Sequence, residues 1–159
     1  MTDLDLTSLL ERKFGYFSNP FGYSLVKLRN RPYLRFLTKS IYLFNLDPEK
    51  PLTFNHPDGR QIRPETEIET DMGSTPYLVR IFFPKDKYLK AFIFHDSGWS
   101  ELGLWVKYPH DDEFLFVDMS LLEMNDLLGL MCAASGASWI GRKMILAGVD
   151  AGARFRRFE

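Results

Sequence analysis

The chain contains 159 residues, of which 20 are basic and 21 acidic, and its net charge is -1. This length suits a single domain, 1–159, and a hydrophobic content of 45% excludes a chain that is mostly disordered. A protein with a net charge near zero has no overall electrostatic attraction for a polyanion, so we expect no nucleic-acid partner. The basic run at 154–158 is typical of a solvated helix end, and a phosphate or partner contact is the other interpretation.

Cysteine content and hydropathy limit the class of protein further. Cys132 is the only cysteine, so no intrachain disulfide is possible, and its apolar surroundings at 127–134 predict a buried, unreactive thiol. Residues 1–5 lack the basic and then apolar layout of a signal peptide. No apolar stretch approaches the roughly 18 residues that cross a bilayer. We therefore expect no membrane span, and a protein made for the cytoplasm or for a particle assembled there.

The first half of the chain is predicted to be rich in strands. Residues 4–14 have the spacing of a short amphipathic helix, which ends at Gly15. Aromatic and β-branched residues at 32–46 predict a strand. Further strands are expected in a hairpin over 53–62, closed by Asp58-Gly59, and at 65–70.

The second half is predicted to be mainly helical. A turn at 71–76 precedes a short helical segment at 77–83, and Asp86 is a candidate cap for a helix through 88–97. Two strands, 102–107 and 113–117, are expected to form a hairpin. Two more helices are predicted by their caps, one from Ser120 with Glu123 to a stop at Gly136, and one over 139–153 after Ser138. The fold class is therefore α+β, with an N-terminal strand-rich half packed against three or four helices of the C-terminal half.

Four polar residues are expected on faces that are otherwise apolar. His95 and Asp96 share helix faces with aromatic and aliphatic residues, and Asp126 is predicted to face inward beside small residues. Asp71 stands where strand gives way to helix, a position that also suits capping or turn formation. A buried polar group is costly unless it has a partner, so these side chains are expected to bind one another or a ligand.

Two interpretations of these four residues remain open. They could form a metal site in which His95, Asp96 and Asp126 bind Zn, Mn or Mg, with Asp71 as a further ligand or base and bound water as nucleophile. They could equally form a hydrogen-bond network that locks two helices to a loop. The residues alone favour the network, because the sequence contains neither His-Glu-x-x-His nor paired cysteines.

Other residues suggest weaker alternatives. The order of His56, His95-Asp96 and Asp126 imitates that of metal-dependent phosphohydrolases named for a His-Asp dyad, but those proteins are wholly helical and His56 falls in a predicted hairpin. His110 is expected to be solvated in a loop tip. An aromatic groove for a sugar or peptide and simple core packing are both open for two tryptophans, Trp99 and Trp105.

Three short elements occur in order: Thr70-Asp71-Met72-Gly73-Ser74-Thr75-Pro76, then Ala91 to Trp99 around His95-Asp96, then Asn125-Asp126 followed by Gly136. With them, the chain from 65 to 152 resembles a family of short phage and prophage proteins known as domain of unknown function 1353. The family pattern selects Asp71, Ser74, His95, Asp96 and Asp126. The chain departs from it at Trp99, where the family has Tyr, at Asn125, where it usually has Ala, and by an inserted hairpin at 102–117.

The resemblance implies a phage-encoded protein, and two functions follow as hypotheses. The first is a virion or morphogenesis protein, in the tail or another part of the particle, that binds other particle proteins. It would be located in the host cytoplasm during assembly and in the virion. The alternative is a small metal-dependent hydrolase acting on cell-wall peptide or glycan bonds, with Asp71, His95, Asp96 and Asp126 as catalytic residues. Whether the protein is an enzyme is left open by the sequence.

Overall fold

A computed structural model describes residues 3–34, 37–71 and 85–156. These residues form four helices and eight strands, with most strands in the N-terminal half and most helices in the C-terminal half, which confirms the α+β class. In chain order the elements are α1 (Asp3–Phe14), β1 (Tyr16–Ser18), β2 (Tyr23–Leu34), β3 (Leu37–Leu46), β4 (Thr53–Asn55), β5 (Gln61–Arg63), β6 (Glu67–Thr70), α2 (Lys85–Glu101), β7 (Gly103–Lys107), β8 (Leu115–Asp118), α3 (Leu121–Ala134) and α4 (Trp139–Arg156).

The strands form two antiparallel sheets. A five-stranded sheet has the order β1-β4-β5-β7-β8, and a three-stranded sheet has the order β2-β3-β6. Phe54, Ile62 and Val106 lie opposite one another on neighbouring strands of the larger sheet and are buried, as expected for a sheet with one face on the core. The predicted hairpin at 53–62 is confirmed, and Gly59 in its turn adopts a φ of 94°, which favours glycine.

Helix α2 belongs to both hydrophobic cores. Phe92 and Phe94 lie in the main core with the larger sheet and α3, whereas Ile93 lies in a smaller core with Phe44 and Ile68 of the three-stranded sheet. Helix α3 in turn contacts α1, α2 and α4. Two apolar clusters therefore meet along one helix, and the position of α2 decides how the sheets and the helices fit together.

The sequence prediction for 32–46 is wrong in one respect. These residues do not form one strand, because the chain reverses between Leu34 and Leu37 and pairs β2 with β3 along their length. Strand β2 was not predicted, since its exposed residues include the apolar Val26 and Leu28 beside charged ones and show no regular alternation of polar and apolar side chains. Arg35 and Phe36 lie outside the described residues.

The predicted helix ends have mixed outcomes. Helix α2 begins at Lys85, so Asp86 lies inside its first turn and is not its cap. Ser120 and Glu123 form the predicted capping box, and the Ser138 hydroxyl accepts a hydrogen bond from the Gly141 N–H at the start of α4. The predicted helical segment at 77–83 lies outside the described residues.

Cys132 is fully buried on α3, as predicted, and burial raises the pKa of its thiol to about 12. A thiol with this pKa is protonated at neutral pH and is a poor nucleophile. Across the described ranges, no helix is long and apolar enough to span a membrane.

The capping box of α3 provides a test of the fold. We expect Ser120→Ala to lower the free energy of unfolding by about 1 kcal/mol, because the substitution removes the hydroxyl that accepts a hydrogen bond from the Glu123 N–H. Urea unfolding followed by circular dichroism measures the change. Ser100→Ala, at an exposed position near the end of α2, is the control and should change stability by less than about 0.5 kcal/mol. Equal effects of the two substitutions would contradict this role of Ser120.

Candidate functional site

The first contact of the candidate site joins the end of β6 to α2. The hydroxyl of Thr70, a fully buried residue, donates a hydrogen bond to the Oδ2 atom of Asp96, which is half-buried. Asp71 follows Thr70 directly and is also half-buried. A hydrogen bond to a carboxylate is stronger than one between neutral groups, so this contact fixes the sheet edge to the helix.

The second contact joins α2 to α3 and α4. The Nε2 atom of His95 lies 3.0 Å from the Oδ1 atom of Asn125, and the Nδ2 group of Asn125 donates to the Oδ1 atom of Asp150 at 2.7 Å. The second bond orients the Asn125 amide and places its carbonyl oxygen toward His95. A carbonyl oxygen only accepts, so the Nε2 atom of His95 carries a hydrogen. The imidazole is thereby held in one orientation.

Gly98 and Trp99 of α2 lie beside this chain of hydrogen bonds. A Cβ atom on Gly98 would lie 2.7 Å from the Sδ atom of Met124 on α3, so a larger residue there would require the Met124 side chain to move. One turn along α2 from His95, the ring of Trp99 stacks on the imidazole, with centroids 6.3 Å apart and an angle of 23° between the planes. His95 is therefore held by a hydrogen bond and by ring stacking.

A third contact joins α2 to the chain between β5 and β6. The N–H of Glu65 donates to the Oγ atom of Ser97 at 2.7 Å, and Ser97 is fully buried. The Glu65 carboxylate accepts a hydrogen bond from the indole N–H of Trp105 on β7 at 2.9 Å. Burial raises the pKa of Glu65, but hydrogen bonds from the Thr66 N–H, the Trp105 indole and the Thr66 hydroxyl outweigh burial and lower it.

Asp126 does not lie where the sequence predicts. Its side chain is exposed, and the residue one turn before it on the same face, Leu122, is 71% exposed. The buried residues of α3 include Met124, Leu127 and Leu128, so Asp126 falls on the only outward sector of the helix. Asn125, one position earlier, faces His95 instead.

His95 and Asp96 contact different parts of the fold, and Asp126 is exposed. Asp96 contacts the end of β6 whereas His95, its neighbour in sequence, contacts α3, since successive helical residues differ in direction by about 100°. Among residues 3–34, 37–71 and 85–156 there is no group of three or more His, Cys, Asp or Glu side chains placed to hold a metal ion. The geometry therefore supports a hydrogen-bond network more than a metal centre.

The remaining candidates have separate positions. His56 lies in the turn between β4 and β5, where its Nδ1 atom is 2.7 Å from the Oδ1 atom of Asp58. His110 is exposed, as predicted. Trp105 packs edge-on against Phe116 of the neighbouring strand, as a cross-strand pair does. Ser74 lies outside the described residues.

Sequence reasoning missed five residues of these contacts: Glu65, Thr70, Ser97, Asn125 and Asp150. Thr70 and Asn125 stand directly beside predicted site residues, so an error of one position separates them from the prediction. A signal for Asn125 was available, because an amide enclosed between two helices needs hydrogen-bond partners. Asp150 is exposed near the end of α4 and has no such signal.

Comparison of the chain with protein-family models, with curated proteins and with solved structures finds no match.

The contact between α2 and α3 is tested by comparing two adjacent residues. We expect Asn125→Ala and His95→Ala each to lower the free energy of unfolding by about 1 to 2 kcal/mol, because each removes a half-buried hydrogen bond. In a double-mutant cycle the two should couple by at least about 0.5 kcal/mol.

Asp126→Ala is the matched control, and its stability should differ from wild type by less than about 0.5 kcal/mol because the residue is exposed. Urea unfolding measures all four variants. A larger effect for Asp126→Ala than for Asn125→Ala, or simple additivity of His95→Ala and Asn125→Ala, would show that the contact is wrong.

The lowered pKa of Glu65 predicts a pH dependence. A carboxyl group whose pKa falls on folding stabilises the protein above its unfolded pKa, about 4.3, and loses this effect as the pH falls through the folded pKa. We expect wild type to lose more stability between pH 7 and pH 3 than Glu65→Gln, which keeps an oxygen acceptor but does not titrate. Glu113→Gln, at an exposed loop position, should lose as much as wild type. Identical pH profiles for wild type and Glu65→Gln would contradict the prediction.

Proposed function

We propose that this chain is a phage-encoded virion or morphogenesis protein, a tail or other particle component, that binds another particle protein through exposed apolar side chains. In this proposal the polar cluster around His95 and Asp96 holds the fold and has no substrate. The protein would act in the host cytoplasm during assembly and in the finished particle. The exposed apolar side chains on α1 and α4 carry the proposal.

Helix α1 exposes three leucines, Leu6, Leu9 and Leu10, and each is about half exposed, with Leu9 at 53%. Their spacing of three and four residues places them on one side of the helix. Exposure of a single leucine is ordinary on a protein surface, but a stripe of three along a short helix is typical of a surface that a partner covers.

Helix α4 adds a second stripe. Trp139 and Ile140 are 64% and 65% exposed, and Met144 lies one turn after Ile140 on the same side. The two helices are neighbours, because the guanidinium of Arg142 lies 5.3 Å from the centre of the Phe14 ring at the end of α1. Burial of one such side chain contributes about 1.5–3 kcal/mol, so a partner that covers both stripes gains substantially from apolar contact alone.

The resemblance to phage proteins adds support of a different kind. The three elements that carry it also carry the network, since Thr70 belongs to the first, His95 and Asp96 to the second and Asn125 to the third. A pattern of polar residues that holds a fold together is expected to recur wherever the fold recurs, without a common reaction. The network therefore lies in the same three segments as the resemblance, although Asn125 itself departs from the family pattern.

The metal-dependent hydrolase is the second candidate, and one observation favours it. Histidine ligands of metals commonly donate their other ring N–H to an oxygen that orients them, as the Nε2 group of His95 does to Asn125. Metal content and the effect of a chelator on the melting temperature distinguish the two candidates. Near-stoichiometric metal in wild type that is lost in His95→Ala would support the hydrolase. A metal-free protein whose melting temperature does not change when chelator is added would support the network.

Particle assembly tests the proposed function directly. We expect mass spectrometry to find the chain at a fixed copy number in purified particles made from the genome that encodes it, or deletion of its gene to stop particle formation. Leu9→Ser with Ile140→Ser should reduce incorporation or particle yield by tenfold or more, because a polar side chain at each stripe weakens apolar contact.

The control is Lys143→Ser with Glu11→Ser, which alters exposed positions on the same two helices without removing an apolar side chain. This control should assemble like wild type, and circular dichroism should show that all variants fold. Particles that form normally without the chain, and that do not contain it, would show that the proposal is wrong.

A further inference from the structure

The five-stranded sheet has one face on the main core and one face turned away from it. Phe54, Ile62 and Val106 are paired across β4, β5 and β7 and pack in the core. Their neighbours along each strand point the opposite way, because side chains alternate along a strand. These outward residues, which we call the outer face, form two rows: Tyr16, Asn55, Gln61 and Lys107 in one, and Ser18, Thr53, Arg63, Trp105 and Phe116 in the other.

Aromatic rings are held at fixed positions on the outer face. Tyr16 and Phe116 are 45% and 40% exposed, and Trp105, directly opposite Phe116, is half-buried. The indole N–H of Trp105 donates to the carboxylate of Glu65, so its ring rather than its N–H is left for a ligand. A Cβ atom on Gly103 would lie 2.7 Å from the Cζ atom of Phe116, so this ring lies against glycine backbone. The sheet therefore presents aromatic carbon in a defined place.

Hydrogen bonds orient the amide groups of the outer face. The Nδ2 group of Asn55 donates to the Oγ atom of Ser18 at 3.0 Å, and the Nε2 group of Gln61 donates to the Oδ1 atom of Asn55 at 3.3 Å. Within the described ranges, no donor is bonded to the carbonyl oxygen of Gln61. The outer face therefore offers an oriented acceptor beside its aromatic rings.

Arg63 supplies a positive charge in the middle of the sheet. Its Nε atom donates to the Oγ1 atom of Thr53 at 3.0 Å, and its guanidinium carbon lies 3.9 Å from the centre of the Phe114 ring. Burial lowers the pKa of Arg63. In the part of the chain that the structure describes, Arg63 forms no ion pair with a carboxylate. A half-buried cation of this kind attracts an anionic group, and its terminal Nη groups are left to bind one.

We propose that the outer face binds an oligosaccharide that carries a carboxylate group. The carboxylate accepts two hydrogen bonds from the Nη groups of Arg63, whose guanidinium fork matches a carboxylate while its plane stacks on a ring. Trp105 lies opposite Arg63 and Phe116 opposite Trp105, so at a strand spacing of about 4.8 Å the two rings follow roughly 5 and 10 Å across the sheet. The C–H face of a sugar packs on such rings, and its hydroxyl groups donate to the carbonyl oxygen of Gln61.

A single-stranded nucleic acid fits this face less well. Such a strand needs positive charge along its whole backbone path as well as stacking rings. The outer face has two basic residues, Arg63 and Lys107, and the Lys107 ammonium is bonded to the carbonyl oxygen of Asp112. The carboxylate of Glu65 adds negative charge beside Trp105. A ligand with one carboxylate for Arg63 matches these charges better than a chain of phosphates does.

The two tryptophans for which the sequence leaves a sugar or peptide groove open have different positions. Trp99 stacks on His95 within the hydrogen-bond network, whereas Trp105 lies on the outer face. The inference therefore concerns Trp105 alone. It is independent of the proposed role in particle assembly, because it involves a sheet face rather than α1 and α4, and a glycan rather than a particle protein.

Oligosaccharide binding by the full chain tests this inference. The probes are oligosaccharides of glucuronate, galacturonate, N-acetylneuraminate and N-acetylmuramate, each beside its methyl ester, which keeps the sugar and removes the negative charge. We expect wild type to bind at least one acidic probe in titration calorimetry. Its ester should bind about tenfold more weakly or worse, because the charged hydrogen bonds to Arg63 are lost.

Two variants separate the charge from the rings. Arg63→Gln should weaken binding of that acidic probe about tenfold or more and should leave binding of the ester within about twofold of wild type. Phe116→Ser should weaken binding of the acid and of the ester by the same factor, about fivefold or more, because it removes apolar contact and no charge.

The matched controls are Lys50→Gln and Leu122→Ser, which make the same kinds of change at exposed positions outside the outer face. Both should bind within about twofold of wild type, and circular dichroism should show that all variants fold. The inference is overturned if no acidic probe binds, if acid and ester bind wild type equally, or if Arg63→Gln and Lys50→Gln lose affinity equally. Binding of a single-stranded thymidine oligonucleotide, without binding of any oligosaccharide, would overturn it in favour of nucleic acid.

Discussion

Three consecutive residues of α2 fasten that helix to three different parts of the fold. His95 is bound to Asn125 on α3, Asp96 accepts from Thr70 at the end of β6, and Ser97 accepts from the N–H of Glu65. Because successive helical side chains differ in direction by about 100°, neighbouring residues can serve elements on different sides of one helix. The same helix is shared by both hydrophobic cores, so its hydrogen bonds set the orientation that apolar packing alone leaves loosely specified. The arrangement of sheets and helices depends on this short segment.

Features that depend on residues close together in the sequence were predicted correctly, whereas features that depend on distant residues were not. The capping box at Ser120 and Glu123 and the turn at Gly59 were predictable because each depends on residues within three positions. Strand β2 was not, because its residues 26–30 are all exposed and lack the alternation of apolar and polar residues that a half-buried strand has. Pairing between β2 and β3 gives it stability instead, and that is a long-range property of the fold.

At the candidate site, the sequence located segments more accurately than single residues. Sequence reasoning selected Asp71, His95-Asp96 and Asp126, whereas the described contacts of these segments are made by Thr70, by His95-Asp96 and by Asn125. On a helix, an error of one position turns a side chain from the core toward solvent, and α3 is buried around most of its circumference. Periodicity cannot show which face of such a helix is the most buried, since apolar residues occur on nearly all of its faces.

The difference between Asn125 and Asp126 also changes the chemistry of the site. A carboxylate beside His95 would favour the charged imidazole and would add a metal ligand, whereas the Asn125 amide is neutral and orients the ring without adding charge. Asp150 supplies a carboxylate, but the amide lies between it and the imidazole. This relay holds the imidazole in place, and the group that it puts in contact with the ring is a neutral amide. Its residues fit a scaffold, and under the proposed function recognition is left to the exposed apolar side chains of α1 and α4.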